Sequence, residues 1–310
     1  MDLSVIVPVY NEELNIVQLY QRLVNIIESI GIKFELLFVN DGSKDNSLFE
    51  LIKLSQIDSR VLYINLSRNF GHQIAVTAGL ETCKGKAVVI IDADLQDPPE
   101  LIAAMYSKYL EGYEVVYGKR ISRAGESVFK KLTARIFYRL MSKLSSVNIP
   151  LDTGDFRLID RKIVDYLKRM PEQHKFLRGQ IAWLGMRQAE IEFNRQERKD
   201  GKSGYSLGKM IRFALDGITG FSDKPLTFVS RFGFFISGIS IVVIFYALFS
   251  HFILHRTITG WTSLIISSMF IGGVQLISIG IIGEYVSRIH NNVQQRPLYI
   301  VQDSNIKLNP

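Results

Sequence analysis

Apolar residues recur along the N-terminal part of the chain in two alternating rhythms. Short runs rich in β-branched and aromatic residues, Leu3 to Val9, Phe34 to Val39, Val61 to Leu66, Ala87 to Ile91 and Glu114 to Tyr117, have the length and composition of buried strands. Between them apolar residues fall at helical spacing, as in Leu14, Val17, Leu23, Ile26, Ile27 and Ile30. This alternation predicts an α/β domain, a mostly parallel Rossmann-like sheet with helices on both faces.

Towards the C-terminus the rhythm gives way to unbroken apolarity. Gly233 to Leu254 and Thr262 to Gly283 contain no Asp, Glu, Lys or Arg, and each run of about 22 residues, coiled as a helix, crosses roughly 30 Å of hydrocarbon. The pattern predicts a two-helix transmembrane hairpin, with Arg231, Trp261 and Tyr285 near the span ends, where aromatic and snorkelling basic residues belong. Lys209, Arg212, Lys224 and Arg231 precede the first span, and Arg288, Arg296 and Lys307 follow the second; the connecting loop holds only His255 and Arg256. Positive charge stays on the cytoplasmic side, so a multi-pass protein of the cell membrane is expected, with both termini and the soluble domain cytoplasmic. Gly233 with Ser237 and Ser268 with Gly272 offer small residues for close helix packing, within the hairpin or between protomers of a homo-oligomer. The expected division is a soluble domain over 1–205, juxtamembrane helices over 206–228, the hairpin over 229–288 and a cytoplasmic tail over 289–310.

Between the soluble strands and the hairpin lies an amphipathic stretch. Val128, Leu132, Ile136, Leu140 and Leu144 recur every four residues beside a basic stripe of Lys131, Arg135, Arg139 and Lys143, the pattern of a helix lying in a membrane interface or of a surface helix with a solvated face. Leu207, Met210, Ile211, Phe213, Ala214, Leu215 and Ile218 extend the apolar character towards the first span. The net charge of +7 favours anionic partners. The lone Cys83 rules out an intramolecular disulfide or a Cys-rich metal site. Met1-Asp2-Leu3 enters a strand-like run without a basic leader, so no signal peptide is expected.

Candidate chemistry collects where the strands end. In open α/β sheets ligands bind beyond the carboxyl ends of the strands, and four polar segments fall there: Pro8-Val9-Tyr10-Asn11-Glu12, Asn40-Asp41-Gly42-Ser43, Ser67-Arg68-Asn69-Phe70-Gly71-His72, and Asp92-Ala93-Asp94 followed by Leu95-Gln96-Asp97-Pro98-Pro99. Residues i and i+2 of extended backbone share a face, so Asp92 and Asp94 can grip one divalent cation, Mg²⁺ or Mn²⁺, whose shell is completed by water and the phosphates of a nucleotide. Asn11 and Ser43 read equally as helix caps, Asp41-Gly42 as turn chemistry or as a carboxylate for a base or ribose. His72 reads as a structural histidine. No G-x-G-x-x-G follows a strand, no G-x-x-x-x-G-K-[ST] occurs, and no nucleic-acid-binding module is recognisable. An anionic acceptor would need cations, and Lys119, Arg120 and Arg123 follow the fifth strand.

Taken together, Val7-Pro8-Val9-Tyr10-Asn11-Glu12, Asn40-Asp41-Gly42-Ser43, Asp92 to Glu100 and Gly154-Asp155-Phe156-Arg157 resemble the family 2 glycosyltransferases of GT-A fold. With the apolar hairpin the chain is most similar to the polyprenyl-phosphate glycosyltransferases, the group of dolichyl-phosphate mannose synthase and the bactoprenol glucosyltransferases. The resemblance implies inverting transfer of a sugar from a nucleotide donor to a lipid phosphate, with glucose from UDP-glucose and undecaprenyl phosphate as first choice, and mannose or a modified pentose as alternatives. It implies that Pro8, Tyr10, Glu12 and Asp41 contact the nucleoside, that Asp92, Asp94 and Gln96 hold the metal on the diphosphate, and that Asp94 thereby serves catalysis. Arg198, with Gly201 and Ser203, matches a loop that closes over the diphosphate, and Arg120 with Lys130 or Lys131 would bind the lipid phosphate beside Arg123. Asp155, rather than Asp152, matches the place of a catalytic base; with a phosphate acceptor it would take a residual proton or orient the nucleophile, and its bland alternative is a structural pairing with Arg157. A membrane polysaccharide synthase would need more spans and a Gln-x-x-Arg-Trp motif that is absent, and a basic membrane adaptor would leave the four rim segments without a purpose.

Overall fold

The computed structural model describes residues 1–121, 153–194, 222, 224–252 and 260–306. The first strands and helices follow the predicted alternation: β1 (Leu3–Val9), α1 (Ile16–Ile30), β2 (Phe34–Asn40), α2 (Ser47–Ile57), β3 (Val61–Leu66), α3 (His72–Thr82), β4 (Ala87–Ile90), α4 (Leu101–Leu110) and β5 (Val115–Arg120). Then come β6 (Thr153–Asp160), α5 (Arg161–Arg169), α6 (Leu177–Trp183), β7 (Gln188–Phe193), the long helices α7 (Lys224–Phe252) and α8 (Trp261–Gln294), and β8 (Val301–Ser304).

All eight strands form one sheet in the order β7-β5-β6-β4-β1-β2-β3-β8. β1 lies between β2 and β4, parallel to both, and β3 continues the parallel half beside β2. β6 enters antiparallel between β4 and β5, and β7 closes that side parallel to β5. The sheet is therefore mixed across β6, a strand that hydropathy alone does not reveal, because Asp155, Arg157 and Asp160 interrupt its apolar residues. Arg157 is buried, and its Nη2 donates to the Gly154 carbonyl at 2.9 Å, which offsets part of the cost of its burial.

Strand alternation divides the core into two layers. Leu3, Val5, Val7 and Val9 of β1 pack with Leu19 and Leu23 of α1, Leu51 of α2 and Ile102 of α4, while Ile6, Leu37 and Val39 pack with Val76 of α3, Ile163 of α5 and Ile181 of α6 on the opposite face. At the foot of the sheet the buried Glu35 accepts from Ser4 Oγ at 2.6 Å and from the Lys84 amide at 2.7 Å, and Ser4 Oγ accepts from the Gly85 amide at 2.7 Å. This satisfied network allows a carboxylate inside the core.

The segment read as a cytoplasmic tail rejoins the sheet. β8 pairs antiparallel with β3, Tyr63 Oη donates to Asp303 at 2.9 Å, and the Asn305 side chain accepts from the Tyr63 amide and donates to the Val61 carbonyl. The β3 edge is thereby covered. α7 and α8 are each long and apolar enough to cross a membrane by length and composition, and Phe234, Met269 and Leu276 expose 80%, 76% and 72% of their surface, more apolar area than water tolerates without a lipid or protein cover. Gly233 and Gly272 meet no heavy atom within 4 Å where a side chain would start, so their small size does not serve packing between the two helices. α8 runs on through Glu284 to Gln294, well past the end of the uncharged run. The amphipathic stretch 122–152, most of 206–223 and the connecting loop 253–259 lie outside the described residues.

Candidate active site

The four rim segments converge as their positions at strand ends require. Pro8 and Val9 at the end of β1 with Tyr10 and Glu12 just beyond it, Asp41 after β2, Asn69, Gly71 and His72 after β3, and Asp92, Ala93 and Asp94 after β4 line one cleft of about 250 Å³. Asn11, with φ of 56°, and Ser43 do not cap their own helices. The Asn11 amide donates to Ser43 Oγ at 3.0 Å and the Lys44 amide donates to Asn11 Oδ1 at 2.8 Å, lacing the β1 and β2 loops together. The Glu12 amide on Ser47 Oγ and the Asn46 amide on Glu13 extend the lacing.

Asp41 binds the third loop to the second. Its Oδ1 accepts from the Phe70 amide at 2.7 Å and its Oδ2 from the Gly71 amide at 2.9 Å. Burial pushes its carboxyl up from the usual range, against the pull of those two amides. Each oxygen keeps a second lone-pair direction, so Asp41 can shape the loop and still face a ligand in the cleft. Gly42, at φ of +64°, is required here: a Cβ would fall 2.4 Å from the Arg68 carbonyl carbon and 2.7 Å from the Asn69 nitrogen.

The paired aspartates sit just beyond β4 rather than on it. The ladder ends at Ile90, yet burial still alternates, with Ile91, Ala93 and Leu95 buried and Asp92 and Asp94 partly exposed, both in the cleft lining. The expectation of a shared face therefore holds without the strand. Leu95 takes the left-handed φ of 59°, and the Gln96 amide donates to Asp94 Oδ1 at 3.1 Å, a tight turn that fixes Asp94. Leu95 is a bulky residue in a sparsely populated region, a strain that concentrates at functional sites. Gln96 follows the same alternation but is not part of the cleft lining. Among the described residues no group of three or more His, Cys, Asp or Glu side chains is arranged to hold a metal. Two carboxylates suit a hard cation that draws its other ligands from water and substrate phosphate.

Asp155 is built into the site by residues far from it in sequence. Its Oδ2 accepts from Gln73 Nε2 at 2.9 Å and lies 3.1 Å from His72 Nε2, and its Oδ1 lies 3.1 Å from Arg178 Nε. The pairing with Arg157 considered from the sequence is replaced by this set, since the Arg157 guanidinium turns to the backbone carbonyls of Gly154 and Asp155. Burial alone would raise the Asp155 carboxyl, but Arg178 and His72 outweigh it and hold it well below the usual carboxylate range. His72 also lies 3.7 Å from Asp92. Burial pulls its imidazole down, and Asp92 and Asp155 together push it up to about 9. His72, read from the sequence as a structural histidine, thus lines the cleft and pairs with Asp155; its place on the rim directly after Gly71 was the available signal. Arg178 and Gln73 gave none, because Gln73 lies 82 positions before Asp155 and Arg178 lies beyond the helix that follows β6. Arg120 closes β5, in register with Phe193 of β7, and Arg123, Lys130, Lys131 and Arg198 lie outside the described residues.

Residues 4–167, which include the cleft and Asp155, match glycosyl transferase family 2. Among curated relatives, the uncharacterized glycosyltransferase YkcC of Bacillus subtilis is 51% identical over 97% of this chain and 93% of its own, and an uncharacterized glycosyltransferase of Synechocystis, sll0501, is 44% identical over 98% and 95%. A prophage-derived bactoprenol glucosyl transferase of Shigella flexneri is 38% identical over 98% of both chains. The alignments run through the apolar helices as well as the sheet. A mixed sheet with its cleft at the strand ends, an acidic pair after β4 and a match over more than half of the sequence leave one assignment: the domain has the GT-A fold, and the chain belongs to glycosyl transferase family 2.

Proposed function

We propose that this glycosyltransferase moves glucose from UDP-glucose to undecaprenyl phosphate, with inversion at the anomeric carbon, at the cytoplasmic face of the cell membrane. The observation that carries the reading is the meeting of Asp41, Tyr10, Glu12, Asp92 and Asp94 in one cleft on a chain whose two apolar helices are long enough to span a bilayer. The full-length similarity to a bactoprenol glucosyl transferase supports glucose and a polyprenyl phosphate over other sugars and acceptors.

In this reading Pro8, Tyr10, Glu12 and Asp41 hold the nucleoside, and Asp92 and Asp94 hold Mg²⁺ or Mn²⁺ against the diphosphate. When bound, such a cation supplies the charge that stabilises the departing nucleoside diphosphate. The left-handed turn at Leu95 and the Gln96 amide keep Asp94 in place before substrate arrives, so little reorganisation is needed at the moment of reaction. Arg198 would close over the diphosphate, and Arg120, Arg123, Lys130 and Lys131 would draw the lipid phosphate from the bilayer surface. α7 and α8 would anchor the domain with both termini on the cytoplasmic side, as the basic residues flanking them require.

The test is direct. Purified protein in lipid nanodiscs is given undecaprenyl phosphate, Mg²⁺ or Mn²⁺ and a panel of labelled nucleotide sugars. Label from UDP-glucose should pass to an organic-extractable, acid-labile product. Label appearing only in polymer, or in no product with any donor, would refute the proposal.

A further inference from the structure

We infer that Asp155 is not the base of the reaction but the positioning residue for Arg178, and that Arg178 receives the phosphate of the acceptor. The inference deepens the proposed function and rests on it.

The reasoning starts from what a base must offer. A general base needs a lone pair directed at the proton it takes and an affinity for that proton near the working pH. Asp155 accepts from Gln73 Nε2 at 2.9 Å on Oδ2, which also lies 3.1 Å from His72 Nε2, and pairs through Oδ1 with the Arg178 guanidinium at 3.1 Å, and it keeps only 15% of its side chain exposed. Such a carboxylate is committed to holding its neighbours. Nor does the chemistry require a base. A phosphate monoester has its second ionisation near about 6 and is mostly a dianion at neutral pH. One of its oxygens forms the new bond to the anomeric carbon, the bond from that carbon to the diphosphate oxygen breaks, and the electron pair leaves on UDP. The acceptor gives up one negative charge in becoming a diester, and no proton moves.

What the acceptor does require is a cation that meets it on the far side of the sugar from the departing diphosphate. The residues form a chain in space: Asp92 at the metal end, His72 between Asp92 and Asp155 at 3.7 and 3.1 Å, then Asp155, then Arg178. Arg178 is therefore the third side chain out from Asp92 along these contacts. Arginine is suited to this place because a planar guanidinium can pair with a carboxylate and a phosphate together. Its side chain keeps 21% of its surface open.

An independent contact places the same segment beside the membrane helix. In the approach to α6, the Gln173 amide donates to Asn292 Oδ1 at 3.0 Å, and His174 Nε2 lies 3.1 Å from Asn291 Nδ2, both on the last turns of α8 beyond its apolar run. Gln73 Oε1 accepts from the Leu177 amide at 3.1 Å while its Nε2 donates to Asp155. Residues 173 to 178 thus run from the emerging end of a candidate span to the carboxylate at the reacting centre. A lipid phosphate whose tail stays in the hydrocarbon arrives from that side.

The experiment is a double-mutant cycle on the full chain in nanodiscs with UDP-glucose and undecaprenyl phosphate, comparing wild type, Asp155→Asn, Arg178→Gln and the double variant. Arg178→Gln should raise the acceptor KM by about 10-fold or more and leave the donor KM within about 2-fold, as expected for loss of a charged hydrogen bond to one substrate. Because Asp155 acts through Arg178, the double variant should be no worse than about 3-fold below the weaker single variant. Losses that multiply, or an acceptor KM that stays put in Arg178→Gln, would overturn the inference. UDP binding measured by calorimetry identifies a variant that has failed to fold; for Arg178→Gln the same KM comparison then passes to Arg178→Lys, which keeps the charge but not the fork, with the same two outcomes deciding. A wild type that transfers no sugar would instead defeat the function proposed above.

Discussion

In the parallel half of the sheet, β3-β2-β1-β4, the first three rim loops are tied to one another, whereas in the half built on β6 the one acidic site residue is held by side chains from α3 and α6. Ser43 and Asn11 join the first two loops, and Asp41 joins the second to the third. Asp155 depends on Gln73, 82 residues before it, and on Arg178. The first half is a preformed cradle that exists as soon as its successive strand-helix units are packed. The second comes into being only when β6 has inserted between β4 and β5 and α6 has settled on the sheet. A rigid cradle suits a nucleotide, which brings many polar groups to be matched. A centre assembled from distant segments, one of them touching α8, suits an acceptor that comes from somewhere else.

The contrast is tested most strongly at its donor end. Replacing Asp92 and Asp94 together by alanine should lower turnover by about 10³-fold or more, the scale of losing the main electrostatic stabilisation of a leaving group. Excess EDTA should reproduce the loss in the wild type, and added Mg²⁺ or Mn²⁺ should reverse it there but not in the double variant. Activity that survives both treatments would remove the cation from the donor half. The variant should stay folded with only a small drop in melting temperature from loss of the Gln96 amide bond to Asp94, because Ile91, Ala93 and Leu95 carry the packing.

Much of the parallel half was legible in the sequence. Its strands are short apolar runs, its helices have helical spacing, and the polar residues between them had to fall on one rim. Asp92 and Asp94 could be placed on one face by alternation alone, even though β4 stops before them. The other half was not legible in this way. β6 carries Asp155 and Arg157 inside an otherwise apolar strand, and only the finished sheet shows that Arg157 is satisfied by backbone carbonyls. β8 has the composition of a tail, with Gln302, Asp303 and Ser304, and becomes a strand because the β3 edge offers it a partner. His72 looked structural because its two carboxylate neighbours, Asp92 and Asp155, lie 20 and 83 positions away in the chain.

Gly42→Ala probes how rigid the cradle is. The added Cβ meets backbone atoms of Arg68 and Asn69 at 2.4 to 2.8 Å and must also adopt a left-handed φ. The two costs together come to about 2–4 kcal/mol. Thermal unfolding should move down accordingly, and the donor KM should rise because the 68–71 loop is displaced from Asp41. An unchanged donor KM alongside the lower melting temperature would mean that the third loop does not touch the nucleotide. The acceptor KM should change little in either case.

The smallest expected effect is at the seam between the halves. Gln73 belongs to α3 of the parallel half, yet its amide bonds both Asp155 and the Leu177 backbone. Gln73→Ala removes two hydrogen bonds, each worth about 1 kcal/mol net, while His72 and Arg178 still hold the Asp155 carboxylate. Stability should therefore fall by only about 1–2 kcal/mol. Kinetics should divide along the seam: the donor KM stays near that of wild type, and kcat/KM for the lipid acceptor drops by about 10-fold as α6 loses its tether to the reacting centre. Equal loss on both substrates would show that the cradle and the acceptor side are one mechanical unit, because a perturbation at their shared residue would then spread into the laced loops rather than stopping at Asp155.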